Sequence, residues 1–217
     1  MNIFIDSADI QTIEQALKSG YVYGVTTNPT LLQRASVRSQ QVPSLAKQII
    51  ELGASELHLQ VYSEDTSQMF QDAARLVEID PKRVVVKIPA TPSGFAATAQ
   101  LASQGVRVTL TAVYTVAQAI LAQSVGARYI AVYLGRMRDD GLDALALVGQ
   151  MQRTLNAQRA SVEILVASVR SPAEVEAVAE LQVAAVTLPL AVLQQLPESP
   201  GTMAAVSAFS DASKSLQ

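Results

Sequence analysis

The sequence predicts an α/β protein closed into one barrel of eight strand–helix units, and three observations lead there. Eight short runs rich in β-branched residues recur along the 217 residues. Helical patterns, with apolar residues three and four apart, separate them. The spacing suits parallel strands joined by crossover helices. Eight such units in a chain of this length make a closed (β/α)8 TIM barrel the economical arrangement. An open doubly wound sheet is the alternative that periodicity alone leaves standing.

The candidate strands, in order, are Ile3–Asp6, Val22–Thr26, Leu57–Val61, Val84–Ile88, Val106–Thr111, Tyr129–Tyr133, Glu163–Ala167 and Ala184–Leu188. Ile10, Ile13 and Leu17 form the first helical stripe, which stops at Gly20. Leu142, Leu145, Val148 and Met151 form a later one. Ser171-Pro172 reads as a helix start, with proline in the first turn. Arg138-Asp139-Asp140-Gly141 reads as another helix-start turn, because it lacks the ligand count of a calcium loop. Past the eighth strand, Pro197 and Pro200-Gly201 punctuate the chain, and Met203, Val206 and Phe209 mark a further helix. Residues 1–217 thus read as a single domain with an extra C-terminal helix, 201–217 being an extension that docks on its own barrel or on a neighbouring subunit.

Composition narrows the chemistry. At 49% hydrophobic and 16% charged, the chain has ample core. A net charge of −3 without a basic stripe argues against nucleic acid as a partner. No apolar run reaches membrane-spanning length, and Met1-Asn2-Ile3-Phe4-Ile5-Asp6 lacks the basic start and apolar stretch of a signal peptide. The absence of cysteine removes disulfides, thiolate nucleophiles and cysteine-ligated metals, and suits a cytoplasmic enzyme. A single histidine, His58, excludes a metal held by several imidazoles, and reads as a structural residue of its strand. No phosphate-binding loop or dinucleotide glycine fingerprint occurs, so no metal and no cofactor is expected. Tyr21, Tyr23 and Tyr62 are scattered and read as packing residues.

Polar residues fall at the ends of the strands, where a parallel barrel gathers its chemistry. The first strand ends in Asp6 and the second runs into Thr26-Thr27-Asn28. Gln60, Lys87, Thr109 with Thr111, and Tyr133 close the next four, with Arg136 just after, and Ser168 and Arg170 follow the seventh. Alternation places Val85 with Lys87, Thr109 with Thr111, and Ala131 with Tyr133 on shared faces, all of which can point inward. Lys87 stands out because it interrupts Val84-Val85-Val86 and Ile88. A desolvated lysine lowers its pKa and becomes an amine nucleophile suited to Schiff-base chemistry. The plainer reading is a lysine that reaches solvent at a strand end or pairs with a carboxylate.

At these positions the chain resembles the transaldolase family, most closely the small members that act as fructose-6-phosphate aldolases. The resemblance rests on Phe4-Ile5-Asp6, Gly24-Val25-Thr26-Thr27-Asn28-Pro29, Val85-Val86-Lys87-Ile88-Pro89, Thr109-Leu110-Thr111-Ala112-Val113-Tyr114, Tyr133-Leu134-Gly135-Arg136, Ala167-Ser168 and Thr187-Leu188-Pro189-Leu190, in family order over nearly the whole chain. It implies a (β/α)8 barrel with Lys87 as the Schiff-base lysine. It also implies ring-stacked homo-oligomers, often decamers, in which a C-terminal helix reaches a neighbour. Gln60, Tyr133 and Ala131 look like the aldolase branch, where transaldolases tend to carry glutamate, phenylalanine and serine. Leu134-Gly135-Arg136 is nearer the transaldolase wording, and Val132 replaces a proline common to both.

The expected activity is that of a class I aldolase, a lyase that makes or breaks fructose 6-phosphate from dihydroxyacetone and glyceraldehyde 3-phosphate. The alternative is a transaldolase, which passes the dihydroxyacetone unit to another sugar phosphate in the pentose phosphate pathway. A non-catalytic sugar-phosphate-binding barrel is more remote. On the aldolase reading Tyr133 moves protons through a water held by Gln60 and Thr111. Asp6 binds donor hydroxyls and assists proton transfer, and Asn28 holds another hydroxyl with Thr26 in support. Thr109 and Ala131 line the substrate. Arg136, Ser168 and Arg170 take the phosphate.

Overall fold

A computed structural model describes residues 1–214; positions 215–217 of the expected C-terminal extension lie outside the described residues. Eight parallel strands close into a barrel in sequence order, which removes the open-sheet alternative. They are β1 (Asn2–Asp6), β2 (Gly24–Thr26), β3 (Glu56–Gln60), β4 (Val84–Pro89), β5 (Val108–Val113), β6 (Tyr129–Tyr133), β7 (Glu163–Ala167) and β8 (Ala185–Leu188). Closure comes from β1 pairing with β8, with Asn2 opposite Ala185 and Ile5 opposite Leu188. The helices of the first half are α1 (Ile10–Lys18), α2 (Pro29–Arg34), α3 (Val42–Glu51), α4 (Thr66–Val77) and α5 (Pro92–Ser103). Those of the second half are α6 (Val116–Ser124), α7 (Leu134–Asp139), α8 (Ala144–Ala157), α9 (Pro172–Glu180), α10 (Leu190–Gln195) and α11 (Pro200–Lys214).

Local sequence explains most helix starts. Asp9, Asn28, Asp65, Thr91, Thr115, Asp143 and Ser171 each accept a backbone N–H three residues on, which satisfies one of the orphan donors of a first turn. Ser171-Pro172 is therefore the start the sequence announces. Arg138–Gly141 is not a start. Arg138 and Asp139 close α7, and the Gly141 N–H returns to the Arg138 carbonyl at 2.9 Å. Gly141 has φ 76°, the left-handed conformation of a helix end, and Asp143 caps α8 instead. Leu142 accordingly drops out of the α8 stripe and is exposed, whereas Val148 and Met151 are buried.

The bounds of β5 and the start of β2 differ from expectation by two residues. β5 begins at Val108 because the Val106 N–H is spent on the Leu101 carbonyl of α5. It runs on to Val113 through a register shift after Thr111, where Ala112 takes φ 58°. β2 begins at Gly24, where a side chain would collide with the Glu56 carbonyl at 2.2 Å.

Side chains alternate along each strand. Ile5, Val25, Leu57, Val86 and Ile88 face outward into the main core beneath the helices. Phe4, Val85, Tyr129, Ala131, Leu165 and Ala185 fill the barrel interior. His58 lies there, fully buried, between the rings of Phe4 and Tyr129 at 5.1 and 5.3 Å. Its Nε2 meets Glu56 Oε1 and its Nδ1 meets Thr109 Oγ1, both at 3.0 Å. Burial lowers the His58 pKa, with Glu56 opposing. The ring is thus a satisfied structural histidine, as its strand position suggested. Tyr23 packs edge-on against Phe4, and Tyr21 and Tyr62 are each about half-buried.

Candidate active site

The floor of the site is built by strand ends. Thr26 at the end of β2 donates to Asp6 Oδ1 at 2.7 Å, and Thr187 of β8 lies 2.6 Å from the same hydroxyl. With its proton committed to the carboxylate, Thr26 accepts from Thr187, and Asp6 is anchored by a two-hydroxyl relay. Lys87 stands in register with Gln60 on one side and Thr109 on the other. It is only 4% exposed, and Nζ donates to the Thr27 carbonyl at 3.0 Å. Thr27 is held in turn, its N–H and Oγ1 both bonding the His58 carbonyl at 3.0 Å.

Among the described residues no carboxylate contacts Lys87, and that decides its electrostatics. Burial pushes the ammonium below its ordinary value; Asp6 opposes this, and Arg136 adds to it. Asp6 moves the other way. Burial raises its carboxyl, while Lys87, the Thr26 hydrogen bond and Arg136 hold it back. Both groups are driven toward their uncharged forms, giving a nucleophilic amine near a carboxyl able to carry a proton. Tyr133 closes β6 with its hydroxyl 2.7 Å from Thr111 Oγ1. Burial raises its pKa, so it works as a neutral hydroxyl. The Arg136 guanidinium lies over its ring, 4.7 Å from the centroid.

Above this floor is a cavity of ≈ 160 Å³. Asp6, Lys87 and Tyr133 reach it from below, Arg136, Ala167 and Ser168 from one side, and Asn28, Thr30, Leu31 and Arg34 from the other. Asn28 spends Oδ1 on capping α2 through the Leu31 N–H, which fixes its amide at the cavity edge. Ser168 adopts φ 61°, and its carbonyl accepts the Gly135 N–H at 3.1 Å. That close approach needs glycine: a Cβ at 135 would lie 2.5 Å from the Ser168 oxygen. Gly135 is thus what lets the loop after β7 come down beside Arg136.

The sequence-predicted residues separate into groups. Asp6, Asn28, Lys87, Tyr133, Arg136 and Ser168 meet at the cavity, with Thr26 and Thr111 behind them as hydrogen-bond supports. Thr109 and Ala131 are fully buried, and Thr109 is engaged with His58. Gln60 lines a neighbouring cavity with Tyr62 and Met69, and its amide meets no hydrogen-bond partner among the described residues. Arg170 stands outside the cavity lining, in an exposed ion pair with Asp139. Its Nη1 bonds Asp139 Oδ1 at 2.7 Å, a pair 31 positions apart that no local pattern reveals. Thr30, Leu31 and Arg34 were missed by the strand-end reading because they lie on α2. Their signal was helical spacing, three and four residues apart on one face.

A parallel barrel with a desolvated lysine at the C-terminal rim defines an enzyme scaffold, and the comparisons narrow it to a lyase or transferase. The family described as "Transaldolase/Fructose-6-phosphate aldolase" matches residues 3–217. A probable transaldolase of Syntrophobacter fumaroxidans is 36% identical over 210 residues, covering 96% of this chain and 95% of the relative. Another, from Geobacter sulfurreducens, is 34% identical over 209 residues, covering 96% of each. A crystal structure of a mandelate oxidase variant shares the fold alone, with TM-score 0.60 and 15% identity over 89% of this chain and 67% of that one. The chain belongs to the transaldolase/fructose-6-phosphate aldolase family, whose chemistry lies in carbohydrate metabolism. No helix among the described residues is long and apolar enough to cross a membrane.

Proposed function

We propose that the protein is a cytoplasmic transaldolase that carries a dihydroxyacetone unit on Lys87 between sugar phosphates. The observation that carries this is the buried Lys87 amine, without a contacting carboxylate among the described residues, opening on a cavity lined by two arginines. The names of the curated relatives favour transfer over simple cleavage. A binding-only barrel has no use for an amine held in this way.

The neutral Nζ adds to the C2 carbonyl of a ketose phosphate, and loss of water leaves an iminium. A base takes the C4 hydroxyl proton, the C3–C4 bond breaks, and its electron pair passes into the iminium as an enamine. An aldehyde phosphate departs. Asp6, raised toward neutrality by burial, suits the proton steps. Asn28 presents its amide to donor hydroxyls, and Arg136 with Ser168 takes the phosphate. In transfer, the enamine carbon attacks the aldehyde of a second sugar phosphate such as erythrose 4-phosphate. Hydrolysis of that new iminium then frees Lys87.

A second reading, the aldolase, is favoured by one observation. Tyr133 and Thr111 hold two hydroxyls 2.7 Å apart, able to keep a water where it can protonate the enamine and release free dihydroxyacetone. We further propose a homo-oligomer joined through α11, in the extreme a decamer. The support is an apolar stripe on α11: Met203 and Phe209 are 67% and 72% exposed, with Val206 between them.

Products formed from fructose 6-phosphate, with and without erythrose 4-phosphate, decide between the readings. The transaldolase turns over only with acceptor. Release of dihydroxyacetone without acceptor, suppressed at least about tenfold in Tyr133→Phe, establishes the aldolase instead. A wild type inert under both conditions refutes the shared Schiff-base mechanism.

A further inference from the structure

The strand end beside Lys87 holds a buried group that the mechanism above leaves unused. Thr27 follows the last residue of β2 and is fully buried. Its carbonyl accepts the hydrogen bond of Lys87 Nζ at 3.0 Å, and among the described residues no other donor reaches that oxygen. A buried carbonyl with one donor holds it firmly, because separation leaves the oxygen unpaired. The oxygen is itself fixed from both sides. The Thr27 N–H and Oγ1 both donate to the His58 carbonyl, and the next residue, Asn28, caps α2. His58 is immobile in turn, since Glu56 and Thr109 hold the two nitrogens of its ring.

Following the protons on Nζ shows what such an anchor does. A neutral amine has two N–H groups and one lone pair. With one N–H given to Thr27, the lone pair is left for the cavity. As Nζ bonds the C2 carbon of a ketose, it passes one proton to the carbonyl oxygen, which takes a second from an acid and leaves as water. The iminium nitrogen keeps a single N–H. So does the enamine nitrogen, once the electron pair of the broken C3–C4 bond has moved into the iminium. Amine, iminium and enamine therefore share one N–H, and the Thr27 carbonyl faces it in each. That oxygen also carries partial negative charge where the iminium develops positive charge. Without it, the flexible four-carbon stem leaves the nitrogen free to rotate.

We propose that Thr27 is a positioning residue for the Schiff base: its carbonyl holds the Lys87 nitrogen by the one N–H that survives every step, and its buried hydroxyl keeps that carbonyl in place. The assignment rests on the Schiff-base reading above and applies to transferase and lyase alike, since both pass through the same iminium. The charged and titratable groups that face Lys87 are Asp6 from β1, Arg34 from α2, His58 from β3, Tyr133 from β6 and Arg136 from α7. Among the described residues none of them bonds Nζ, so the Thr27 carbonyl alone sets where the amine points.

Borohydride trapping of dihydroxyacetone at Lys87 tests the anchor. Thr27→Val keeps the side-chain shape and the backbone bond to His58 but removes the hydroxyl, so the carbonyl gains freedom. At saturating dihydroxyacetone its trapping rate is expected to fall about tenfold, the scale of a hydrogen bond to a charged group. The pH midpoint of trapping falls with it, because an ammonium uses the carbonyl more strongly than an amine does. A loosened fold gives the opposite midpoint, since hydrating Lys87 raises it toward the ordinary lysine value. Thr27→Ser restores the hydroxyl, the wild-type midpoint and a rate within about twofold of wild type. Thr98→Val removes an equally buried hydroxyl from the Gly94 carbonyl in α5 and leaves trapping unchanged. A Thr27→Val variant that traps as fast as wild type, or faster, overturns the anchor. So does a midpoint that stays or rises, a Thr27→Ser variant as slow as Thr27→Val, or an equal loss in Thr98→Val. A wild type that traps no dihydroxyacetone refutes the Schiff-base reading and the anchor with it, whereas a wild type that traps it while Thr27→Val is unchanged refutes the anchor alone.

Discussion

The reactivity of Lys87 is expected to follow its unprotonated fraction, and its surroundings fix the direction in which each neighbour moves it. A lysine at the ordinary value is neutral in only about one molecule in 2,500 at pH 7, and each unit of lowering multiplies that fraction by ten. Burial lowers Lys87 below 10.5, Arg136 adds to the lowering, and Asp6 opposes it. The rate of borohydride trapping with dihydroxyacetone should therefore rise to a plateau with a midpoint below pH 10.5. Asp6→Asn removes the opposing carboxylate, so its midpoint should fall further even as turnover drops. Arg136→Ala removes a like charge, so its midpoint should rise. The same shift costs stability. The unfolded chain binds the lysine proton more tightly, so the cost is fully present below the folded midpoint and disappears above 10.5, at about 1.4 kcal/mol per unit. Lys87→Met should thus abolish trapping while leaving the melting temperature at pH 7 equal to or above that of wild type, since Asp6 can take up a proton in response. Refutation would come from a label on another lysine, a midpoint at or above 10.5, or Asp6→Asn moving the midpoint upward.

Three further outcomes follow from contacts away from the amine. Gly135→Ala puts a Cβ 2.5 Å from the Ser168 carbonyl and 2.8 Å from its hydroxyl; the loop after β7 must move, lowering stability by about 1–3 kcal/mol and weakening fructose 6-phosphate trapping more than dihydroxyacetone trapping. Thr109→Val leaves His58 Nδ1 without a partner, at a cost of about 1–3 kcal/mol in denaturant melts, with trapping half-saturation unchanged; a changed half-saturation would return Thr109 to the substrate site. Phe209→Asp on the exposed face of α11 should reduce the particle mass in sedimentation, and an unaltered mass would show that this face is not the subunit contact.

How much of this was legible in the sequence depends on the range of the interaction concerned. Strand alternation is local, so the inward direction of Lys87, Thr111 and Tyr133 could be read from parity alone and reappears in the barrel. Capping is local too, and Ser171-Pro172 announced α9 for that reason. Arg138–Gly141 was misread because an acidic pair followed by glycine is compatible with either end of a helix; only the Gly141 N–H returning to Arg138 settles which. The edges of β5 turned on whether the Val106 N–H pairs with a strand or with the Leu101 carbonyl, a competition that composition does not encode.

Side-chain partnerships between separate loops are harder still to read. Arg170 sits two residues beyond Ser168 and looks like a natural phosphate ligand, while Arg34 lies inside a helical pattern and looks like solvent decoration. Asp139, at the end of α7, bonds Arg170, while Arg34 and Arg136 line the cavity. An arginine already held by a carboxylate must break that contact to bind an anion, whereas an unpartnered one loses only side-chain freedom. Position after a strand is therefore a good guide to which residues can reach a barrel's mouth. What decides which of them can act there is whether another side chain has already claimed them.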